Sequence, residues 1–303
     1  MNTAERSSPR KCPLCSGCTS RLPLSVPPYV LRAPPYVQCQ RCGLVFHDEP
    51  LSQPGRTPLT REAFVGYTTR KLSINRERLH WLTRHVSGFR GRAVDIGTKD
   101  GSAVKVLADG GWQAIGYDPD QRFHAFARQM YGVEIRPEWF TAEAVGPGTL
   151  DVVTAFHVLE HIPQPLPWLS AIHEALQAQG WLYVETPNLR HIQARQLARG
   201  HVVLYTAHTL RQVLEKAGFT IVAITEYAPG GLRTYDQVAA VAQRGHPKPI
   251  QLGLGRVDRS VPRYVARAKP DPPPSLLLPV RVYRGVKRRV RAYIRRASYR
   301  ALR

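Results

Sequence analysis

The stretch from Ala93 to Asp118 narrows the choice of fold more than any other in the chain. Ala93-Val94-Asp95-Ile96 is a short apolar strand carrying one acid, Gly97-Thr98-Lys99-Asp100-Gly101 is a turn, and a helical pattern follows. A second apolar strand, Gln113 to Tyr117, then delivers Asp118 to the same edge. That order predicts a parallel β-α-β unit, because parallel strands need a crossover to join them. Gly97 and Gly101 allow torsions and close approaches that a Cβ would forbid, so a ligand can lie against the main chain between strand and helix. Asp118 stands 23 residues beyond Asp95. An acid about 20 residues on suits a ribose, whose two hydroxyls can both donate to one carboxylate.

A dinucleotide fold wants G-x-G-x-x-G, which sets a helix N-terminus against a pyrophosphate, and that spacing is missing here. An acid two residues before the first glycine suits instead a ligand with an ammonium group and no phosphate. The stretch resembles motif I of class I S-adenosylmethionine-dependent methyltransferases, D/E-x-G-x-G-x-G, matched at Asp95, Gly97 and Gly101. Lys99 stands where that motif has its middle glycine. The Asp100-Gly101 ending is similar to a variant found among sugar C-methyltransferases.

Two further segments carry the same resemblance. Asp151-Val152-Val153-Thr154-Ala155-Phe156-His157-Val158-Leu159-Glu160-His161 resembles the family's fourth strand with its H-V-L-E-H, and Trp181 to Asn188 is similar to its fifth strand with E-T-P-N. The resemblance covers roughly residues 71 to 243 and implies S-adenosyl-L-methionine as cofactor. It places Asp95 and Gly97 at the methionine end, Gly101 in the turn and Asp118 on the ribose. Phe156 and His157 would wall the cofactor. His157 or His161 would be the base, since imidazole carries a proton near neutral pH. His201 and Tyr205 fall where related enzymes bring a substrate-side loop. Glu138 and Glu143, the acids nearest the adenine end, read as solvated surface charges. His157 to His161 also spells H-x-x-E-H, a zinc-peptidase motif, but Pro163 and Pro165 argue against the long helix that motif needs.

All five cysteines precede Gly43. Cys12 and Cys15 form one C-x-x-C pair, and Cys39 and Cys42 a second. Four thiolates so paired can close a tetrahedral zinc site, which predicts a ribbon with a structural role or a part in holding substrate. Nothing in it supplies the open coordination position that catalysis needs. Cys18 is a spare or a competing ligand.

The remaining pattern completes the architecture. Leu72, Leu79, Leu82 and Val86 share a helical face, with Gly88 near its end. Pro119 can open a helix buried through Phe123, Phe126, Ala127 and Met130. Val133 to Ile135 is a short strand. A helix runs to about Gln179-Gly180, and Thr206 caps another that ends at Gly218. Strands Ile221 to Tyr227 and Gln237 to Gln243 finish a seven-stranded sheet. The expected fold is therefore α/β, a Rossmann-like doubly wound and mostly parallel sheet, preceded by a small zinc ribbon and followed by a basic tail helix. The boundaries read as ribbon 1-49, linker 50-70, methyltransferase domain 71-243, Pro/Gly-rich linker 244-279 and basic amphipathic helix 280-303.

Charge separates the tail from the rest. The last 60 residues hold 17 Lys and Arg against Asp258 and Asp271, which puts +15 of the formal +21 there. Such a helix can lie on an anionic membrane surface or bind another polyanion; the bland reading is a solvated terminus. Met1 to Arg10 is polar, and no run of about 18 apolar residues occurs, so the expected location is cytoplasmic, with the tail able to hold the chain at the inner membrane surface. The leading function is methyl transfer to a small-molecule acceptor, a sugar or a nucleotide- or lipid-linked sugar. A nucleic-acid substrate rests on charge alone, without an N-P-P-Y base-flipping signature. A non-catalytic binding protein of the same fold is the third reading, motivated by Lys99. Oligomeric state is not readable.

Overall fold

The computed structural model describes residues 11–17, 19–21, 36–48, 61–86, 91–197, 200–226 and 237–246. Cys18, Gly88, the Pro/Gly-rich linker beyond residue 246 and the basic helix at 280-303 lie outside them.

In chain order the strands are β1 (Thr19–Arg21), β2 (Tyr36–Cys39), β3 (Val45–His47), β4 (Arg92–Ile96), β5 (Gln113–Tyr117), β6 (Ile135–Arg136), β7 (Leu150–Phe156), β8 (Leu176–Pro187), β9 (Val203–Leu204), β10 (Phe219–Thr225) and β11 (Gln237–Arg244). The helices are α1 (Arg61–Thr83), α2 (Ser102–Asp109), α3 (His124–Tyr131), α4 (Ala142–Val145), α5 (Pro165–Ala175), α6 (Ala194–Leu197) and α7 (Ala207–Lys216). Seven strands form one sheet in the order β10-β11-β8-β7-β4-β5-β6. Its β8-β7-β4-β5-β6 part is parallel, and β11 and β10 close the far edge antiparallel. The expected seven-stranded, mostly parallel sheet is what forms.

The period of two along each strand divides the core. Ala93, Val152, Trp181, Tyr183, Ala239 and Val241 point to one face, packed by Leu82 and Val86 of the α1 segment. Val94, Ile96, Val153, Ala155, Leu182, Val184 and Ala240 point to the other, against Leu169, Ile172, Leu210, Val213 and Leu214 of α5 and α7. The same parity puts Asp95, Thr154, Phe156 and Glu185 on the α1 face at the carboxyl ends of their strands.

Five expectations need correction, the simplest being that the strand expected at Ile221 to Tyr227 runs Phe219–Thr225, starting directly after Gly218 ends the preceding helix. Residues 61 to 70, assigned to the linker, belong to α1; Gly66 and the β-branched Thr68-Thr69 blur the helical period there. The helix after Asp118 does not begin at Pro119. Asp118 Oδ1 accepts the Asp120 N–H at 2.8 Å and Asp120 Oδ1 the Arg122 N–H at 3.3 Å, holding an Asx-type turn and a 3-10 turn before α3. The strand expected at Val133 to Ile135 is displaced to Ile135–Arg136, pairing with Gly116 and Tyr117. The helix expected to reach Gly180 stops at Ala175, because Leu176 already pairs with Leu150 and opens a 12-residue β8.

The cysteine region builds a second sheet in the order β1-β2-β3-β9. Its last strand comes from residues 203 and 204, far along the chain. Val45 pairs with Leu204 and Phe46 with Val203. Leu14, Val37, Leu44 and Phe46 join the same apolar cluster as Leu159, Tyr205 and Leu210, so the ribbon and the large sheet share a core. Among the described residues no helix is long and apolar enough to cross a membrane.

Candidate active site

Strands β4 and β5 run side by side with Asp95 level with Gly116 and Ile96 with Tyr117, which brings the Asp95 and Asp118 tips to one edge. Between them the chain turns through Gly97 (φ 70°), Lys99 (φ 50°) and Gly101 (φ 72°). Lys99 thus takes a left-handed conformation that favours glycine, the residue the motif has there. Its side chain is exposed and its N–H donates to Asp118 Oδ2 at 2.7 Å, so the substitution leaves the turn intact. A Cβ on Gly97 would meet Val158 at 2.5 Å, and one on Gly101 would meet Ala127 and Val133 at 2.9 Å. Gly101 therefore lets α2 close on its neighbours, while Gly97 lets the β7 turn approach β4.

Three acids surround this turn, and all are buried: Asp95, Asp100 and Asp118. Burial raises Asp95 to about 6 against the 2.6 Å hydrogen bond donated by Thr154, and raises Asp100 to about 6 against bonds from Ser102. Burial also raises Asp118. Asp100 Oδ2 is buried with no hydrogen bond. Desolvated carboxylates favour a cation nearby and disfavour an anion. This donor set fits the ammonium and sulfonium of S-adenosylmethionine and does not fit a phosphate. Helix α1 seals the edge: Asn75 Nδ2 donates to Ser102 Oγ at 2.9 Å, and Ser102 Oγ donates to Asp100 Oδ1 at 2.7 Å.

The carboxyl ends of β7 and β8 hold a second cluster. Arg78 of α1 makes a two-pronged pair with Glu185, through Nε to Oε2 at 3.1 Å and Nη2 to Oε1, and lies 4.2 Å over the Phe156 ring. Phe156 packs edge-on against Tyr183. The next residue, His157, has φ 60°, and this bend turns its ring between two carboxylates. Its Nδ1 is 3.4 Å from Glu160 Oε1 and its Nε2 3.3 Å from Glu185 Oε1. Burial works against a charged imidazole, but the two glutamates outweigh it and raise His157. Burial likewise works to raise both glutamates. The approach of His157 brings Glu160 down to about 2, and the Arg78 charge with His157 brings Glu185 down to about 2. His157 thus stands between two carboxylates, one facing each ring nitrogen, and both favour its protonated form.

His161 differs. It is exposed on the single turn Leu159–His161, and its Nδ1 is 3.1 Å from the Gly200 carbonyl. A carbonyl can only accept, so Nδ1 carries a hydrogen toward it. The His201 ring stacks edge-on against it at 4.8 Å, with Nε2 4.0 Å from Glu160 Oε1. Tyr205, by contrast, is fully buried in the core, and Glu138 and Glu143 are exposed. The structure therefore brings Asp95, Gly97 and Asp118 to one edge and Phe156, His157 and His161 to the neighbouring strand ends. Sequence reading missed Arg78, Glu160 and Glu185 as partners. The signal for the first was there: Lys71, Asn75 and Arg78 recur at i, i+4 and i+7 along one helix.

At the ribbon, Cys12, Cys15, Cys39 and Cys42 bring their sulfurs within 4.8 Å of one another, with Cys12 to Cys42 at 3.5 Å and Cys15 to Cys39 at 3.4 Å. Sulfurs bound to one tetrahedral zinc at about 2.3 Å stand about 3.8 Å apart, so the four cysteines fit the ion. The Leu14 N–H donates to Cys12 Sγ at 3.4 Å, and Gly17 passes so close that a Cβ would lie 3.1 Å from Cys15 Sγ.

Comparison with known proteins agrees with this architecture. The methyltransferase domain family matches residues 68–224. Ubiquinone biosynthesis O-methyltransferases from Burkholderia vietnamiensis (strain G4 / LMG 22486) and Burkholderia ambifaria (strain MC40-6) are 32% and 34% identical over 121 residues, which is 38% of this chain and 52% of each relative. The chain thus spans about half the length of the curated relatives it matches. Among solved structures, a Burkholderia thailandensis 1,6-didemethyltoxoflavin-N1-methyltransferase aligns over 67% of this chain and 96% of its own, with 17% identity and a TM-score of 0.49. An S-adenosylmethionine-dependent methyltransferase from Mesorhizobium loti covers 56% of this chain and 98% of its own, at 17% identity and a TM-score of 0.47. With the family match spanning more than half of its length, the chain belongs to the methyltransferase domain family, in the class I, S-adenosylmethionine-dependent group.

Proposed function

We propose that the chain transfers a methyl group from S-adenosylmethionine to a hydroxyl of a small-molecule acceptor, a sugar or a nucleotide- or lipid-linked sugar. One observation carries the reading: His161 stands exposed on the turn that follows β7, with its Nδ1 3.1 Å from the Gly200 carbonyl and its ring beside His201 and Glu160. That is the geometry of a base awaiting a proton. The O-methyltransferase names of the Burkholderia relatives support attack by oxygen. The sugar class draws on the likeness of Asp100-Gly101 and the cysteine ribbon to enzymes of bacterial glycan and natural-product pathways.

S-adenosylmethionine supplies, when bound, a methyl group on a sulfonium that needs no further activation. The chain's residues do the rest. Asp95 and the Gly97 backbone hold the methionine end and Asp118 the ribose, while Phe156 and His157 wall the seat. His161 Nε2 removes the hydroxyl proton as the acceptor oxygen attacks, and its Nδ1–H bond to Gly200 fixes the tautomer. Most of the rate gain comes from alignment, worth up to roughly 7 kcal/mol or more of barrier. The four cysteines hold a structural zinc ion, and residues 280-303 supply a basic surface for an anionic membrane or another polyanion, which would suit a lipid-linked acceptor. The five-part division of the chain belongs to the same proposal.

Calorimetry with S-adenosylmethionine tests the cofactor half. The unaltered chain is expected to bind it, and Asp118→Ala to weaken binding by about 2 kcal/mol, the scale of a lost charged hydrogen-bond acceptor. No binding by the unaltered chain would leave the non-catalytic reading. Equal affinity in the variant would remove the ribose assignment. Salt-sensitive RNA retention would turn the acceptor toward nucleic acid.

A further inference from the structure

The segment that orients His161 has little support of its own. Residues 200 to 202 lead into β9, which is two residues long and whose described sheet partner is β3 of the ribbon. The ribbon holds this segment at two points. Tyr36 Oη, on β2, donates to the His201 carbonyl at 2.9 Å and stands 3.4 Å from the Leu197 carbonyl. The His47 N–H, at the end of β3, donates to the Val202 carbonyl at 2.9 Å. From the other side, the Val202 N–H donates to the Glu160 carbonyl at 2.7 Å. Residues 201 and 202 are therefore pinned between the ribbon and the turn that carries His161, with the Gly200 carbonyl aimed at His161 and the His201 ring against it.

We infer that the cysteine ribbon is a positioning module for His161: Tyr36 and strand β3 fix residues 200 to 202, and these fix the tautomer and orientation of the proposed base. The cysteines reach that point through a short hairpin. Cys39 ends β2, its N–H donates to the Leu44 carbonyl at 2.9 Å, and the Gly43 N–H donates to the Cys39 carbonyl at 2.9 Å. Tyr36 stands three residues before Cys39 on that strand, about 10 Å away at the rise of a β-strand. A metal closing the four sulfurs stiffens the hairpin, and the hairpin carries the stiffness to the acceptor wall. Tyr36 is buried with its hydroxyl on the His201 and Leu197 carbonyls, so its part is played through other residues. The inference rests on the reading of His161 as base. The coupling itself can be measured without any acceptor.

The test uses the full chain with 15N-labelled histidine, the His161 signals being assigned by their loss in His161→Gln. In the unaltered protein His161 is expected as the Nδ1–H tautomer. Tyr36→Phe, which removes one hydroxyl, should mix in the Nε2–H tautomer, speed amide exchange at Val202 to Leu204 about tenfold or more, and leave S-adenosylmethionine affinity within about twofold. Stripping zinc with a chelator, followed by a colorimetric metal assay, should produce the same pair of changes. Unaltered tautomer and exchange in both preparations would overturn the inference. So would loss of S-adenosylmethionine binding together with them, because the ribbon would then hold the whole fold instead of this wall. If the unaltered chain binds no S-adenosylmethionine, the functional reading fails, and the tautomer comparison still decides the coupling.

Discussion

The two edges of the candidate site are built in opposite ways. The proposed cofactor edge is local: 26 consecutive residues, Ala93 to Asp118, provide all three buried acids, Gly97, Gly101 and the turn. The proposed acceptor edge is assembled from α1, β7, β8, the 200 to 202 segment and the ribbon, and its groups run from Arg78 to Glu185, His157 and Glu160. At the first, burial raises all three carboxylates even though Lys71 acts on Asp95 and Asp100 and Lys99 on Asp118. At the second, each buried charge meets an opposite one. The first edge therefore has electrostatic strain for a cationic ligand to relieve, whereas the second is already neutralised and serves as a rigid wall.

The largest effect that would break this contrast is at Glu185. Glu185→Ala leaves Arg78 buried without its carboxylate and frees one side of His157, and should cost roughly 3 to 5 kcal/mol in denaturant unfolding. A loss below about 1 kcal/mol would mean that the wall is not held by its charges.

A pH series sharpens the comparison, because the edges titrate in opposite senses. Glu160 and Glu185 are lowered to about 2, so their stabilisation is complete above the ordinary carboxylate range and is lost as pH falls through about 2. The total should be roughly 3 kcal/mol or more between about pH 4.5 and 2, read from unfolding midpoints. His157 is raised, so its contribution is full at low pH and fades as pH rises through its folded value. Asp95 is raised to about 6, and a cationic ligand needs its charged form. S-adenosylmethionine affinity should therefore fall below about pH 6, by up to about tenfold per unit, while the fold persists. Affinity independent of pH between 5 and 7, on the order of one unit either side of that value, would place the ligand's ammonium elsewhere.

The smallest effect belongs to Lys99. Lys99→Gly removes a left-handed side-chain residue from the turn and should stabilise the chain by about 1 kcal/mol, with cofactor affinity unaltered since the side chain is exposed. A marked gain in affinity would show that lysine obstructs the seat.

How much of this was legible follows from the same difference. Asp95, Gly97, Gly101 and Asp118 could be found because their meaning lies in short-range spacing, and the cysteines because metal ligands keep fixed intervals. Strand parity and the C-terminal strand ends followed once the β-α-β order was seen. Glu185 stood in plain sight within Glu185-Thr186-Pro187-Asn188, yet its role depends on Arg78, 107 residues earlier, and on the bend at His157. Choosing between His157 and His161 as base needed the knowledge of what faces each nitrogen. Strand β9 is too short for alternation to show, and its pairing with β3 spans about 160 residues of chain, so no local pattern could announce it.

That borrowed strand has a consequence for the chain as an object of inheritance. A ribbon whose fourth strand is lent by its neighbour cannot be gained or lost as a cassette: deletion would bare the backbone of Val203 and Leu204 as an open edge and uncover apolar surface shared by both parts. A change on either side must keep the pairing of Val45 with Leu204 and Phe46 with Val203 along the seam between them.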